Sequence, residues 1–406
     1  MRVLIVVAEF GDNSVHPCGK DMYALSQKLL QTEDILCTVF TPTDNRGDSL
    51  AKLSVARLRN IGAYRQDLIE RFSSSQNWLQ KFILRIYLHF LNSYIDKGKI
   101  KTSKIIKRDL GKLLKKQECK FDLLISVSYP FYIQELAGRL KKKLKIKKWV
   151  PYILDPYVDN KDCTLKHRKR RNKQERKIFE QCTKIFTVEE VVSKAHYSPI
   201  GRFQEKIQYI PTHLMSDNTR YHVANESGLV HFVYTGLFYL DIRNPEKLLQ
   251  YFTQLPSNYI LHLYCKGCED VIEKYKTVLG ERLQVNDYIL DIEEYNKMIG
   301  RADFLIDVGN TVSNQVPSKI LTYCSFGKPI LHFKNCADEV IGEKFSKYSL
   351  LSIVDYSEDV DGVTNKIVDF VAQNKGKTIP YSDIKENFFD CTVEFVADKV
   401  EQILRE

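Results

Sequence analysis

Short apolar runs rich in β-branched and aromatic residues alternate with stretches of helical period along this chain, in two successive series, and that alternation constrains the fold more than any other feature. Residues 3–8, 35–40, 122–127, 149–154, 184–188 and 206–210 form the first series. Residues 230–235, 259–264, 283–285, 304–308, 329–333 and 351–354 form the second, with helical stretches at 245–254, 271–279, 293–300 and 318–325 between them. Runs of this kind separated by helices predict mostly parallel sheets covered on both faces, so the expected class is α/β, doubly wound. The 406 residues suffice for two such domains, each with its own core. The segment 215–228 is polar, carries Asn, Asp, Ser and Gly, and lacks either periodicity, which predicts a linker between them.

Charge is unevenly placed. Residues 97–177 hold 26 Lys or Arg against 8 Asp or Glu, whereas the whole chain is only +10. The basic residues concentrate at 97–120, 141–148 and 166–171, which points to a localised anionic partner or to solvated helix rims. The stretch 78–95 reads WLQKFILRIYLHFLNSYI and carries a 3.6-period apolar stripe. It suits a core helix, the reading preferred here, and equally the face of a helix lying on a bilayer. A strand begins within the first residues with no leader-like segment before it, no window is long and apolar enough to span a membrane, and the ten cysteines are scattered, so a reducing cytoplasm is expected. The Cys265–Cys268 pair lacks the second pair that a structural zinc site needs, so no metal is expected there.

Two loops carry candidate chemistry. The first follows the opening strand and contains His16 and Gly19, where a glycine would let the main chain approach a ligand closely and a helix start favours negative groups. Its spacing is not that of a dinucleotide fingerprint. The second runs from Gly309 through Asn314 and Pro317-Ser318-Lys319 to a short helix, a terminating Gly327, and a new strand. Its polar residues and first helical turn offer free N–H groups to phosphate or ribose oxygens.

Residues 317–331 resemble the P-S-K-x-x-E-Y-x-x-x-G-K-P segment of the GT-B-type bacterial glycosyltransferases grouped as glycosyltransferase family 4. The glycine-containing first loop, Val188-Glu189-Glu190, Ile210-Pro211, Tyr234-Thr235-Gly236 and Phe388-Phe389 agree in order. The resemblance implies a GT-B fold of two Rossmann-like doubly wound domains facing a central cleft. Residues 1–212 would bind acceptor, 213–389 would bind the nucleotide sugar, and 390–406 would form a C-terminal helix crossing back to the first domain.

It implies a retaining, metal-independent transfer of a sugar from a nucleotide donor, a UDP-sugar by preference and a GDP-sugar as the alternative, to a lipid-linked or polysaccharide acceptor. The setting it implies is capsule, exopolysaccharide or O-antigen assembly by a cytoplasmic protein peripheral to the inner face of the membrane. Gly236 and Arg243 would meet the diphosphate, with Lys266 or Lys319 as the second cation, because fixed cations can do what a divalent ion otherwise does. Ser318 lies in the same run. The family usually places Glu where this chain has Thr322, and that carboxylate holds the ribose hydroxyls; a second Glu is common where this chain has Asn314. The substitutions keep hydrogen-bonding capacity without charge, which leaves open a catalytically inactive partner or scaffold with the same fold. Where the family often has His after the fourth strand run, this chain has Asp155, a candidate for orienting an acceptor hydroxyl, and His16 is a second candidate facing the sugar. The basic clusters also suit nucleic acid, but no base-reading module accompanies them, so no specific nucleic-acid partner is expected.

Overall fold

The twelve apolar runs and one further segment form thirteen parallel-paired strands among the described residues of a computed structural model, which are 1–11, 14, 17–41, 53–57, 77–83, 85–86, 120–128, 131–160, 163–289, 291–312 and 319–406. The first sheet contains β1 (Arg2–Val6), β2 (Leu36–Thr41), β3 (Leu53–Arg57), β4 (Leu123–Ser128), β5 (Lys148–Ile153), β6 (Ile185–Thr187) and β7 (Ile207–Tyr209), in the order β3-β2-β1-β4-β5-β6-β7. The second contains β8 (Val230–Leu237), β9 (Tyr259–Lys266), β10 (Leu283–Asn286), β11 (Phe304–Val308), β12 (Ile330–Lys334) and β13 (Leu351–Asp355), in the order β10-β9-β8-β11-β12-β13. Both are doubly wound, as expected. In each the order reverses next to the first strand, at β1/β4 and at β8/β11.

Burial explains the sequence pattern. Every residue of β4 and β11 is buried, as a parallel strand sandwiched between helices requires. On the second sheet Phe232, Tyr234, Phe304 and Ile306 pack against the helices Glu246–Gln254, Glu269–Leu279 and Val360–Asn374. Val233, Leu305 and Ile330 face the other way, against Ile292–Arg301, Lys319–Cys324 and Tyr381–Asn387. Each fully buried Phe or Leu here contributes about 1.5–3 kcal/mol. Asp291 and Asp359 start two of these helices by accepting Glu294 N–H and Gly362 N–H, both at 2.8 Å. Under the first sheet Trp149 Nε1 donates to Ser126 Oγ (2.7 Å), and Gln134 Nε2 donates to Ser126 O and Ser128 Oγ, so the buried polar atoms there satisfy one another.

The chain divides into two compact units, residues 1–210 with 396–406, and residues 211–395. The helix Val393–Arg405 seats Val396, Val400 and Ile403 in buried positions. Lys148 Nζ donates to the Ile403 and Leu404 carbonyls (2.8 and 3.0 Å), closing carbonyls that a helix end leaves open.

Three expectations change. Segment 215–228 is not a free linker. Met215 N–H bonds Cys391 O (2.9 Å), Asn218 Nδ2 bonds Ser325 Oγ (2.8 Å), and Val223 N–H bonds Gly300 O (3.0 Å). A Cβ on Gly300 would lie 1.9 Å from Tyr221 O, so the strap is pressed onto the second unit. Strand β3, which no sequence run announced, pairs with β2. Finally, the described part of the 78–95 stripe is not core: Trp78, Leu79, Phe82, Ile83 and Ile86 are 75%, 49%, 54%, 56% and 44% exposed. Residues 84 and 87–95 of that stripe, and 97–119 of the first basic cluster, lie outside the described residues.

The other clusters are mixed. Lys142, Lys143 and Lys166 are exposed. Arg171 is buried, donates to Tyr157 O (2.8 Å) and lies 4.7 Å from that ring's centroid, so it is part of the fold.

Candidate functional site

In open α/β sheets a ligand crevice forms beyond the strand carboxyl ends at the point where strand order reverses. For the second unit that point is where β8 and β11 end, at Gly236 and Gly309. Gly236 has φ of +145°, and a Cβ on Gly309 would stand 2.3 Å from Glu339 Oε1, so neither position tolerates a side chain in the present arrangement.

Arg243 arrives here through a tight turn closed by Arg243 N–H to Tyr239 O (2.8 Å) and Tyr239 N–H to Arg243 O (3.1 Å). Thr311 pins that turn to the end of β11, its N–H donating to Ile242 O and its hydroxyl to Asp241 O, both at 2.9 Å. Arg243 Nη2 donates to Asn310 Oδ1 (2.7 Å). Burial alone would depress the guanidinium, but the Tyr234 hydroxyl and Asp307 outweigh it and hold it above its ordinary value. Arg243 Nε is sealed from solvent and makes no hydrogen bond among the described residues.

Lys319 opens the helix Lys319–Cys324. Its Nζ donates to Tyr295 OH (3.3 Å) and sits 4.8 Å from that ring's centroid. Burial pushes Lys319 down, Tyr295 and Tyr288 push it up further, and the net direction is up. Arg243 is among the groups that act on it, so the two cations share one neighbourhood. Thr235 joins the same cluster: its N–H donates to Tyr323 OH, and its hydroxyl lies 3.1 Å from Tyr295 OH. Lys266, the other candidate, stands exposed at the end of β9, level with Leu237, where its carbonyl accepts Phe238 N–H. The structure thus brings Gly236, Arg243 and Lys319 together. Thr322 is half-buried on the Lys319 helix, while Asn314 and Ser318 lie outside the described residues.

Beneath this site lies a buried charged group that the sequence reading missed. His332 Nδ1 is 2.7 Å from Asp307 Oδ2 and its Nε2 is 2.9 Å from Glu339 Oε2. Burial would push His332 down, but the two carboxylates outweigh it and raise it to about 9, so both ring nitrogens carry protons and donate. Asp307 and His332 are register partners on β11 and β12, and Glu339 is the group that closes on Gly309. The available signal was an ionisable residue, Asp307 or His332, in the middle of each of two apolar strands, FLIDV and ILHFK.

In the first unit Asp155, just past β5, acts on the Cys18 thiol at the start of the helix Pro17–Leu29. Burial pushes that thiol well up, and Asp21, Asp155 and Glu9 push it further. Asp155 thus lies near Cys18, the neighbour of Gly19 in the chain. A Cβ on Gly19 would lie 2.1 Å from Ser14 Oγ, and Ser14 in turn donates to Glu9 Oε2 (2.8 Å), so the loop's own packing calls for glycine there. His16 lies outside the described residues. Among the described residues no group of three or more His, Cys, Asp or Glu is arranged to hold a metal ion, and no helix is long and apolar enough to cross a membrane.

No protein-family model matches the chain, and no curated protein is similar to it. Solved structures are. Anabaena Alr3699/HepE in complex with UDP matches over 100% of both chains, with a TM-score of 0.64 and 11% identity. The fold is GT-B-like. The lipopolysaccharide outer core galactosyltransferase WaaB aligns over 100% of this chain and 99% of its own, with a TM-score of 0.55 and 11% identity. A UDP-N-acetylglucosamine 2-epimerase structure from Listeria monocytogenes aligns over 98% and 94%, with a TM-score of 0.54 and 9% identity. A galactosyltransferase and a protein named as an epimerase thus align with the same GT-B-like fold, and likeness at these identities speaks for the fold alone. What this GT-B-like chain does must be argued from its own residues.

Proposed function

We propose that the chain is a glycosyltransferase that binds a sugar nucleotide in its second unit and passes the sugar to a lipid-linked or polysaccharide acceptor held by its first. One observation carries this reading: two half-buried cations, Arg243 and Lys319, stand close enough at the carboxyl ends of β8 and β11 for Arg243 to act on Lys319. Two like charges so placed favour a doubly charged anion, and a nucleoside diphosphate supplies one. A UDP-sugar is the first donor to test, because Anabaena Alr3699/HepE has been solved with UDP and with UDP-glucose.

In the proposed reaction the acceptor hydroxyl attacks the anomeric carbon, the bond from that carbon to the diphosphate oxygen breaks, and the hydroxyl proton passes to the departing diphosphate, with retention. Arg243 and Lys319 stabilise the charge that develops on the leaving group, the work a divalent ion performs elsewhere. Asp155 orients the acceptor hydroxyl and His16 the sugar, while Asn314, Ser318 and Thr322 hold ribose and phosphate oxygens and Lys266 supplements the positive field. A donor screen tests this. Transfer or slow donor hydrolysis with one sugar nucleotide is expected, and binding of a nucleotide without turnover toward any lipid-linked acceptor would favour an inactive partner.

The exposed stripe Trp78, Leu79, Phe82, Ile83 and Ile86, interleaved with Lys81 and Arg85, supports a peripheral position on the inner face of the cell membrane. Replacing Trp78 and Phe82 by Ser is expected to reduce cosedimentation with vesicles containing anionic phosphatidylglycerol by roughly tenfold or more. Equal sedimentation of parent and variant would remove the membrane contact.

A further inference from the structure

The edge of the second sheet opposite Gly236 and Gly309 holds a small, partly open basic cavity that the proposed transfer reaction does not use. It lies where β8, β11 and β12 begin, has a volume of about 80 Å³, and is lined by residues including His222, Asn225, Asp303, Lys328, Lys375 and Lys377. That is room for a few waters or one tetrahedral oxyanion.

Lys328 is 2% exposed, a rare burial for an ammonium that has no ion pair among the described residues. Its Nζ donates to Ala302 O (2.6 Å) and lies 3.0 Å from His222 Nδ1. Lys375 Nζ reaches Leu229 O (2.9 Å) and Ser227 O (3.4 Å). An ammonium has three N–H groups, so each of these lysines keeps one after its protein partners are counted. The Lys377 side chain has no hydrogen bond or ion pair among the described residues. Gly376, with φ of +79°, makes the turn that carries Lys375 and Lys377 past the same cavity. Asp303 is the single carboxylate in the lining, and its Oδ2 is occupied by Asn225 Nδ2 (2.6 Å) and His231 N–H (2.8 Å). Three lysines against one carboxylate leave two positive charges around a space the size of one small anion.

We propose that this cavity binds a phosphate dianion, either free phosphate or the phosphoryl end of a small monoester, at a site separate from the one that takes the sugar nucleotide. The anion accepts one N–H from each lysine and balances the charge that Asp303 leaves over. Burial pushes Lys328 down to about 8, and a bound dianion beside it would reverse that shift, so binding takes up protons near that pH. His222 is also pushed down, by burial and by Lys328, and stays a neutral acceptor.

The test is calorimetric titration of the full chain with inorganic phosphate at pH 8.5, against chloride of equal ionic strength, in two buffers of different ionisation enthalpy. Saturable binding at one site is expected, with proton uptake revealed by the buffer difference. The exposed pair Lys375→Ala and Lys377→Ala together should weaken it roughly tenfold or more, and Lys328→Met should abolish the proton uptake. Arg243→Ala or saturating UDP should leave it unchanged. Glycerol phosphate in place of phosphate separates the two sources: stronger binding identifies a monoester end, weaker binding a free phosphate. No saturable binding by the parent, equal binding by the double lysine variant, or loss of binding in Arg243→Ala would each overturn the proposal, the last by assigning the anion to the nucleotide site.

Discussion

Arg243→Ala is expected to lower kcat/KM for sugar transfer by about 10²–10³, the range seen when one preorganised donor to a developing anion is removed. The guanidinium is held by its backbone turn and by Asn310, so it is in place before the ligand arrives and needs no reorganisation when charge develops. Arg243→Lys keeps the charge but loses the fork of donors, and should fall between parent and alanine variant. Because Arg243 is half-buried and bonds Asn310, thermal unfolding of each variant must accompany the kinetics. A variant that unfolds like the parent yet transfers sugar at the parental rate would remove Arg243 from the diphosphate site.

The second large effect is on stability. His332→Ala leaves Asp307 and Glu339 facing each other in a dry site without the cation between them, and breaking a buried ionic group this way costs about 3–5 kcal/mol. Adding Asp307→Asn and Glu339→Gln to that variant should recover part of the loss, because the stranded charges go with them. The pH dependence has a definite sign. His332 is raised from 6.5 unfolded to about 9 folded, so its stabilisation is fully present below pH 6.5 and is lost as pH rises through 9. The denaturant midpoint of the parent should therefore fall between pH 6.5 and 9.5 by more than that of His332→Ala. Parallel curves would show that His332 is neutral in the folded protein.

The fold was legible because a parallel strand buried on both faces can hardly avoid announcing itself. Runs such as LLISVS and FLIDV admit few alternatives, and glycine and proline mark the turns between them. Segment 215–228 misled because its order comes from distant partners, Cys391, Ser325 and Gly300, which leave no local periodicity. The Trp78 stripe misled for another reason: a core face and a lipid or solvent face share the same 3.6 period, and only burial separates them. Gly19 was singled out for close approach to a ligand, and the structure adds a local contact with Ser14 that no spacing along the chain announces. Arg243 was singled out through resemblance. Asp307 and His332 were not, because pairing across β11 and β12 is a property of register rather than of spacing along the chain.

The most direct test of the central claim, that fixed cations in the second unit receive a nucleoside diphosphate, is calorimetric titration of the protein with UDP in the presence of EDTA. The account predicts saturable binding without a divalent ion, weakened roughly tenfold or more by Arg243→Ala and by Lys319→Ala. Binding that requires magnesium or manganese, or that survives both substitutions unchanged, would contradict it.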